Sequence, residues 1–155
     1  MRKPMDIDFE RCTSGIEFEE WVKELLGQLR MKAERVTKNN CGIDIIAIAA
    51  VNKSTTKRFY IQCKYYNKPL GKGPIQEIFA GTAHHKDYGE PVVITNNYVI
   101  FEARKYAKDL AVEIIAAPEW EEFKRINIEG RVDNPNQHTG LFGLMIAVLL
   151  KDKDY

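Results

Sequence analysis

The chain has almost no net charge: 23 Lys and Arg stand against 22 Asp and Glu, a balance of +1 over 155 residues. That removes any bulk electrostatic case for a polyanion partner, so a nucleic-acid role needs a local basic patch. Cysteine is scarce. Cys12, Cys41 and Cys63 stand at unrelated spacings with no C-x-x-C. A disulfide frame and a zinc-ribbon pattern are thereby excluded, and free, packing thiols in a reducing, cytoplasmic compartment are expected. No apolar run reaches the roughly 20 residues of a membrane-spanning helix. The opening MRKPMDIDFERC carries acids where a signal peptide needs an apolar core. Internal repeats and low-complexity tracts are absent as well.

What is present fits one soluble domain with a sizeable core, since 45% of residues are hydrophobic and 29% charged. Residues 1–14 read as an arm. Ser14 and Glu17 form a capping-box pattern ahead of a stripe of Phe18, Trp21, Val22, Leu25, Leu26 and Leu29 at helical spacing. This predicts a helix over 15–30. A thin strand over 31–37 and an Asn39–Asn40 turn come next. Two strands follow, over 42–50 and 58–64, joined by a polar turn at 52–56. Pro74 opens a helix reaching about His85 that buries Ile75, Ile78 and Phe79. Beyond the break at 89–91, a strand over 92–95 leads into a helix over 100–110 with Phe101, Ala103, Ala107 and Leu110 inward. A strand over 112–116 and a helix from Pro118 through Phe123 close the domain. Helices alternating with the late strands imply a partly parallel sheet covered on both faces. The expected fold is a three-layer α/β domain with a central mixed sheet over residues 15–126. Residues 127–155 form a loop and an apolar tail, and 141–150 pack as helix or strand on the body or on a second copy.

Chemistry concentrates in residues 41–66, CGIDIIAIAAVNKSTTKRFYIQCKYY. Gln62 and Lys64 share one face of their strand because alternate side chains do, and Cys63 points the other way. If the two strands form a hairpin, Asp44 at the start of one meets Gln62 and Lys64 at the end of the other. An acid, an amide oxygen and an ammonium at one point suit a divalent cation beside an anionic ester. Asp44 among Ile43, Ile45 and Ile46 is costly to bury unpaired, which favours a functional role over a turn cap. Without Asp44, Gln62 and Lys64 would read as a plain solvated face. Gln76, near the start of the next helix, reads equally as site-facing or as surface.

GIEFE at 15–19, GID at 42–44, IQCK at 61–64 and VVIT at 92–95, followed by a helix containing Ala103 and a final strand, resemble the Mrr-type restriction endonucleases of the PD-(D/E)XK superfamily. The resemblance covers residues 15 to about 123. It implies a restriction-endonuclease-like core and Mg²⁺-dependent (or Mn²⁺-supported) cleavage of DNA. It makes Asp44 the metal-binding acid, Gln62 the position that is Glu or Asp elsewhere, Lys64 the catalytic lysine and Glu19 the helix acid. The Cys63 backbone carbonyl would join Asp44, Gln62 and Glu19 as a metal ligand. A second acid often precedes the Gly-x-Asp step in the family; here Asn39, Asn40 and Cys41 stand there. Many relatives carry an added DNA-binding or ATPase domain, for which this chain has no room, so that task would fall to a separate specificity or ATPase subunit.

Candidate DNA contacts lie around this stretch: Lys38, Asn39, Asn40, Lys57, Arg58, Tyr65, Tyr66, Lys68 and Lys72. Thr95 and Asn96, at a strand-to-helix turn, offer backbone N–H groups to a phosphate. Two other readings share this pattern: a non-catalytic DNA-binding or assembly module on a decayed nuclease fold, and a junction or RNA nuclease. A homo-oligomer through 141–150 is the expected alternative to packing within one chain.

Overall fold

The computed structural model describes residues 5–38, 41–134 and 137–151. A short 3-10 turn, Phe9–Arg11, precedes helix α1, Gly15–Gln28. Strands β1 Lys32–Arg35, β2 Ile45–Ala50 and β3 Thr56–Lys64 follow. Helix α2 Gly73–His84, strand β4 Glu90–Thr95, helix α3 Phe101–Asp109 and strand β5 Glu113–Ile115 alternate after them. Helices α4 Ala117–Glu129 and α5 Gly140–Lys151 end the described chain. The strands form one sheet in the order β1-β2-β3-β4-β5. The first two pairings are antiparallel and the last two parallel, as helical crossovers require.

Side-chain alternation splits the interior into two layers. Ile45, Ala47, Ala49, Phe59, Ile61, Cys63, Val92 and Ile94 face α1, α4 and α5. Tyr60 and Val93 face α2 and α3, where Ile75, Ile78, Ala103 and Ala107 are buried. Gln62 and Lys64 continue the Tyr60 side of β3. The described part of the N-terminal arm is packed: Ile7 and Cys12 are buried, and Phe9 meets Phe18, Trp21 and Trp120 with ring centroids 5.5–6.0 Å apart.

Local structure departs from the sequence reading at identifiable points. Ser14 caps α1, its Oγ accepting the Glu17 N–H at 3.2 Å. The Glu17 carboxylate in turn accepts the N–H and hydroxyl of Thr13 and also interacts with the Ser14 backbone N–H, the return contact of a capping box. Phe79 is 42% exposed. The buried arc of α2 runs from Ile75 through Ile78 to Gly81, and at 100° per residue Phe79 falls outside it. Phe101, two residues before the buried Ala103, lies across α3 from it and is 82% exposed. Helix α4 continues to Glu129, past the expected stop near Phe123. Cys41 is exposed, not packed. The apolar run of 141–150 is a helix: Leu141, Phe142, Met145, Ile146 and Leu149 join the α1–α4 layer. The Glu113 carboxylate, its pKa raised by burial, accepts the Leu141 and Phe142 N–H groups at 2.8 and 2.9 Å and so caps α5 from strand β5.

Candidate active site

Asp44 sits just ahead of β2, partly buried between Ile43 and Ile45. One carboxylate oxygen accepts the Cys63 N–H at 2.8 Å, so the side chain bridges to the end of β3. Its backbone is held on both sides: the Asp44 N–H donates to the Ile61 carbonyl and its carbonyl accepts the Val36 N–H, each at 2.8 Å. Burial pushes the Asp44 pKa up to about 6. The Cys63 hydrogen bond opposes that rise, Glu19 and Glu77 add to it, and Lys64 opposes it. Burial beside the same Asp44 and Glu19 holds the Cys63 thiol well above its ordinary range, which makes it an inert packing group.

Gln62 is 2% exposed. Its amide nitrogen donates to the Gly42 carbonyl at 3.1 Å and to the Glu77 carboxylate at 2.9 Å. Two acceptors on one side of the amide fix which end is oxygen. Gln62 Oε1 is buried and has no hydrogen-bond partner among the described residues. A buried amide oxygen with no partner at all costs about 1–3 kcal/mol, and this one stands at the position expected to face a cation.

This contact depends on two glycines. At Gly42, with φ +84°, a Cβ would lie 3.2 Å from the Gln62 amide nitrogen and from the Glu77 carbonyl. At Gly81 a Cβ would lie 2.1 Å from the Cys41 carbonyl oxygen. Helix α2 therefore presses directly on the 41–42 loop and brings Glu77, one turn before Gly81, onto Gln62.

Glu19 pairs with Arg35 of β1 at 3.3 Å, and Arg35 also reaches Glu20 at 3.6 Å. Lys64 ends β3 with its ammonium 5.9 Å from the Tyr66 ring centroid. The four expected catalytic side chains thus come from α1, the start of β2 and the end of β3, all at one end of the sheet. Sequence reasoning missed Glu77 and Arg35 and weighed Gln76 instead, which points outward to the Tyr106 hydroxyl at 3.2 Å. The phase set by Ile75 and Ile78 could have found Glu77; nothing local marks Arg35, whose partner stands 16 residues earlier. Among the described residues no group of three or more His, Cys, Asp or Glu is disposed to hold a metal. The oxygen groups brought to this end of the sheet are carboxylates and the Gln62 amide.

The candidate DNA contacts separate. Asn39 and Asn40 lie outside the described residues, and Lys38 beside them is exposed. Lys57 and Arg58 sit at the far end of β3, about 20 Å of strand from Lys64, and Lys57 pairs with Glu90 at 3.6 Å. Tyr65 turns inward, its hydroxyl donating to the Cys12 carbonyl at 2.6 Å. Thr95 is fully buried. The Asn96 side chain is committed to Tyr66, accepting its N–H and donating to its carbonyl, both at 2.8 Å. The Asn97 and Tyr98 N–H groups go to Thr95 Oγ1 and Asn97 Oδ1, so that turn spends them internally. Lys68 is exposed, and Lys72 lies over Tyr106 at 5.3 Å. Tyr65, Tyr66, Asn67, Asn96 and Asn97 line an open cleft of about 550 Å³ just beyond Lys64. It lies outside the carboxyl ends of the parallel strands β3 and β4, a usual place for ligands in such sheets.

Among solved structures, the fold is similar to the protein of unknown function AF1548, with TM-score 0.54 and 20% identity over 76% of this chain and 71% of that one. It is similar to the DNA modification-dependent restriction endonuclease AspBHI, with TM-score 0.53 and 19% identity over 87% of this chain and 34% of that one. The MspJI restriction endonuclease, solved in complex with a 27-mer oligonucleotide, matches with TM-score 0.49 and 14% identity over 88% of this chain and 31% of that one. The chain thus spans about a third of the length of each restriction enzyme. None of the curated proteins compared with it by sequence matches. The Mrr_cat family model, described as a restriction endonuclease, matches residues 11–123, which is most of the chain. The three-layer α/β fold described above is accordingly restriction-endonuclease-like, and the chain belongs to the Mrr_cat restriction endonuclease family.

Proposed function

We propose that the chain is a divalent-metal-dependent endonuclease that hydrolyses DNA phosphodiesters. One observation carries the reading: Asp44 is fixed on the Cys63 N–H within electrostatic reach of Glu19 and Lys64, beside a buried Gln62 whose amide oxygen lacks a partner. Hard oxygen donors of this kind suit Mg²⁺, which commonly takes one or two carboxylates and keeps several waters. Asp44, Gln62 Oε1 and Glu19 would hold it, with the Cys63 carbonyl completing the set. A bound Mg²⁺ supplies positive charge to the phosphate and makes water more acidic. Asp44 stays competent only when ionised, so protons and cation compete for it. Lys64 sets an ammonium where the phosphate gains negative charge, and its stacking on Tyr66 limits where that charge can go. Glu19, steadied by Arg35, supplies a second acid. The cleft of Tyr66, Asn67 and Asn97 beyond Lys64 seats the strand, with the exposed Lys68 close in sequence to meet phosphates.

The test is plasmid cleavage with Mg²⁺ or Mn²⁺. Asp44→Ala is expected to abolish it, and Lys64→Ala to slow it by at least roughly 100-fold, with circular dichroism unchanged. Full cleavage by both variants would refute the assignment. Metal-independent DNA binding with no cleavage would favour the assembly-module reading instead. Structured RNA and four-way junctions, tested at one stated salt concentration, decide the substrate class.

A further inference from the structure

We propose that Glu77 is a positioning residue: its carboxylate fixes the Gln62 amide so that Oε1, not the amide nitrogen, faces the cation held by Asp44. The inference rests on the endonuclease reading and goes beyond it, because Glu77 belongs to none of the motifs that suggested that reading.

A glutamine amide can turn end for end with almost no change in shape, and only its hydrogen bonds choose between the two ends. Here the choice is one-sided. The Gln62 nitrogen lies 2.9 Å from a Glu77 carboxylate oxygen and 3.1 Å from the Gly42 carbonyl oxygen. Turned over, Oε1 would face two acceptors and the N–H groups would point toward the cation. Of the two contacts, the one to Glu77 is charge-assisted, roughly twice as strong as the neutral one. Glu77 therefore dominates the preference. Its own place is set by Gly81, whose missing Cβ lets α2 lie against the Cys41 carbonyl. Glu77 is exposed on α2, yet its carboxylate reaches inward to a side chain that is 2% exposed. An ordinary buried glutamine, for its part, has both ends satisfied. Gln62 has only its nitrogen satisfied, and the end left open is the one a hard cation needs.

The experiment compares the wild-type chain with Glu77→Ala, Glu77→Gln, Gln62→Ala and Asp44→Ala. Two readouts are used: calorimetric titration with Mn²⁺, and solvent exchange of the Gln62 side-chain amide protons by NMR without metal. Glu77→Ala is expected to weaken Mn²⁺ binding roughly 10- to 100-fold, as far as Gln62→Ala does. Glu77→Gln keeps an acceptor and should stay within about threefold of wild type. The Gln62 amide protons should be protected in wild type and Glu77→Gln and exchange freely in Glu77→Ala. Wild-type affinity in Glu77→Ala, alongside a loss in Gln62→Ala, would overturn the inference. So would equal losses in Glu77→Ala and Glu77→Gln, which would assign Glu77 a purely electrostatic role. If Mn²⁺ binds through Asp44 yet DNA is never cut, the endonuclease reading fails while the affinities still support Glu77. If the wild type takes up no Mn²⁺, the endonuclease reading also falls, and unchanged amide protection in Glu77→Ala overturns the positioning role independently.

Discussion

Asp44→Asn should make the metal-free protein more stable at neutral pH while abolishing the proposed cleavage. Burial lifts the Asp44 pKa from near 4 to about 6. Two units at about 1.4 kcal/mol each set a ceiling near 3 kcal/mol, but the side chain is only partly buried and water screens part of the penalty. A discounted value of about 1–1.5 kcal/mol is the working figure. The sign follows from proton binding. Between pH 4 and 6 the unfolded chain has released the Asp44 proton and the folded chain still holds it, so wild-type stability falls as pH rises through that window. Above about pH 6 the full penalty is present. Asparagine removes the charge and keeps an oxygen for the Cys63 N–H. Thermal unfolding without divalent ions should therefore show the variant about 3–6 °C more stable at pH 8, with the difference vanishing near pH 4. Titrating groups remote from Asp44, Glu113 among them, are common to both proteins and cancel. Added Mg²⁺ should raise the wild-type midpoint and leave the variant unmoved. A variant less stable than wild type at pH 8, or a difference constant from pH 4 to 8, would refute the account of Asp44.

At limiting Mg²⁺, cleavage should fall about tenfold per unit below pH 6 and the fall should move to lower pH as Mg²⁺ rises; a flat rate–pH profile from 5 to 7 would contradict this. Gly81→Ala places a methyl against the Cys41 carbonyl. The clash, about 1–3 kcal/mol, should outweigh the up to about 1 kcal/mol that alanine brings to a helix, and cleavage should fall as Gly42 and Gln62 shift; urea unfolding and plasmid assays together check it. Glu113→Ala removes the acceptor that caps α5 and should cost about 1–2 kcal/mol in urea unfolding; an unchanged midpoint would show that α5 docks without it.

How much of this was legible in the sequence depended on the range of the interaction involved. Element order and the shared face of Gln62 and Lys64 follow from periods of 3.6 and 2, which are local. Asp44 was legible because an acid amid Ile43, Ile45 and Ile46 contradicts the strand around it. The inward reading of Phe79 and Phe101 failed because hydrophobicity alone does not set a helix's phase. In α2 the close approach at Gly81 sets it, and in α3 the small residues Ala103 and Ala107 do. The same phase error hid Glu77: with Gly81 turned toward the 41–42 loop, position 77 must face Gln62, and Gln76 must not. The side chains of Thr95 and Asn96 show a related limit. Free polar groups in sequence are not free in space, and here Asn96 spends its amide tying the ends of β3 and β4 together through Tyr66. That tie serves the site indirectly, because Tyr66 is the ring beneath the Lys64 ammonium. The side chains expected to do the chemistry were thus legible one by one. Those that hold them in place were not, because each is defined by a partner that only the fold supplies.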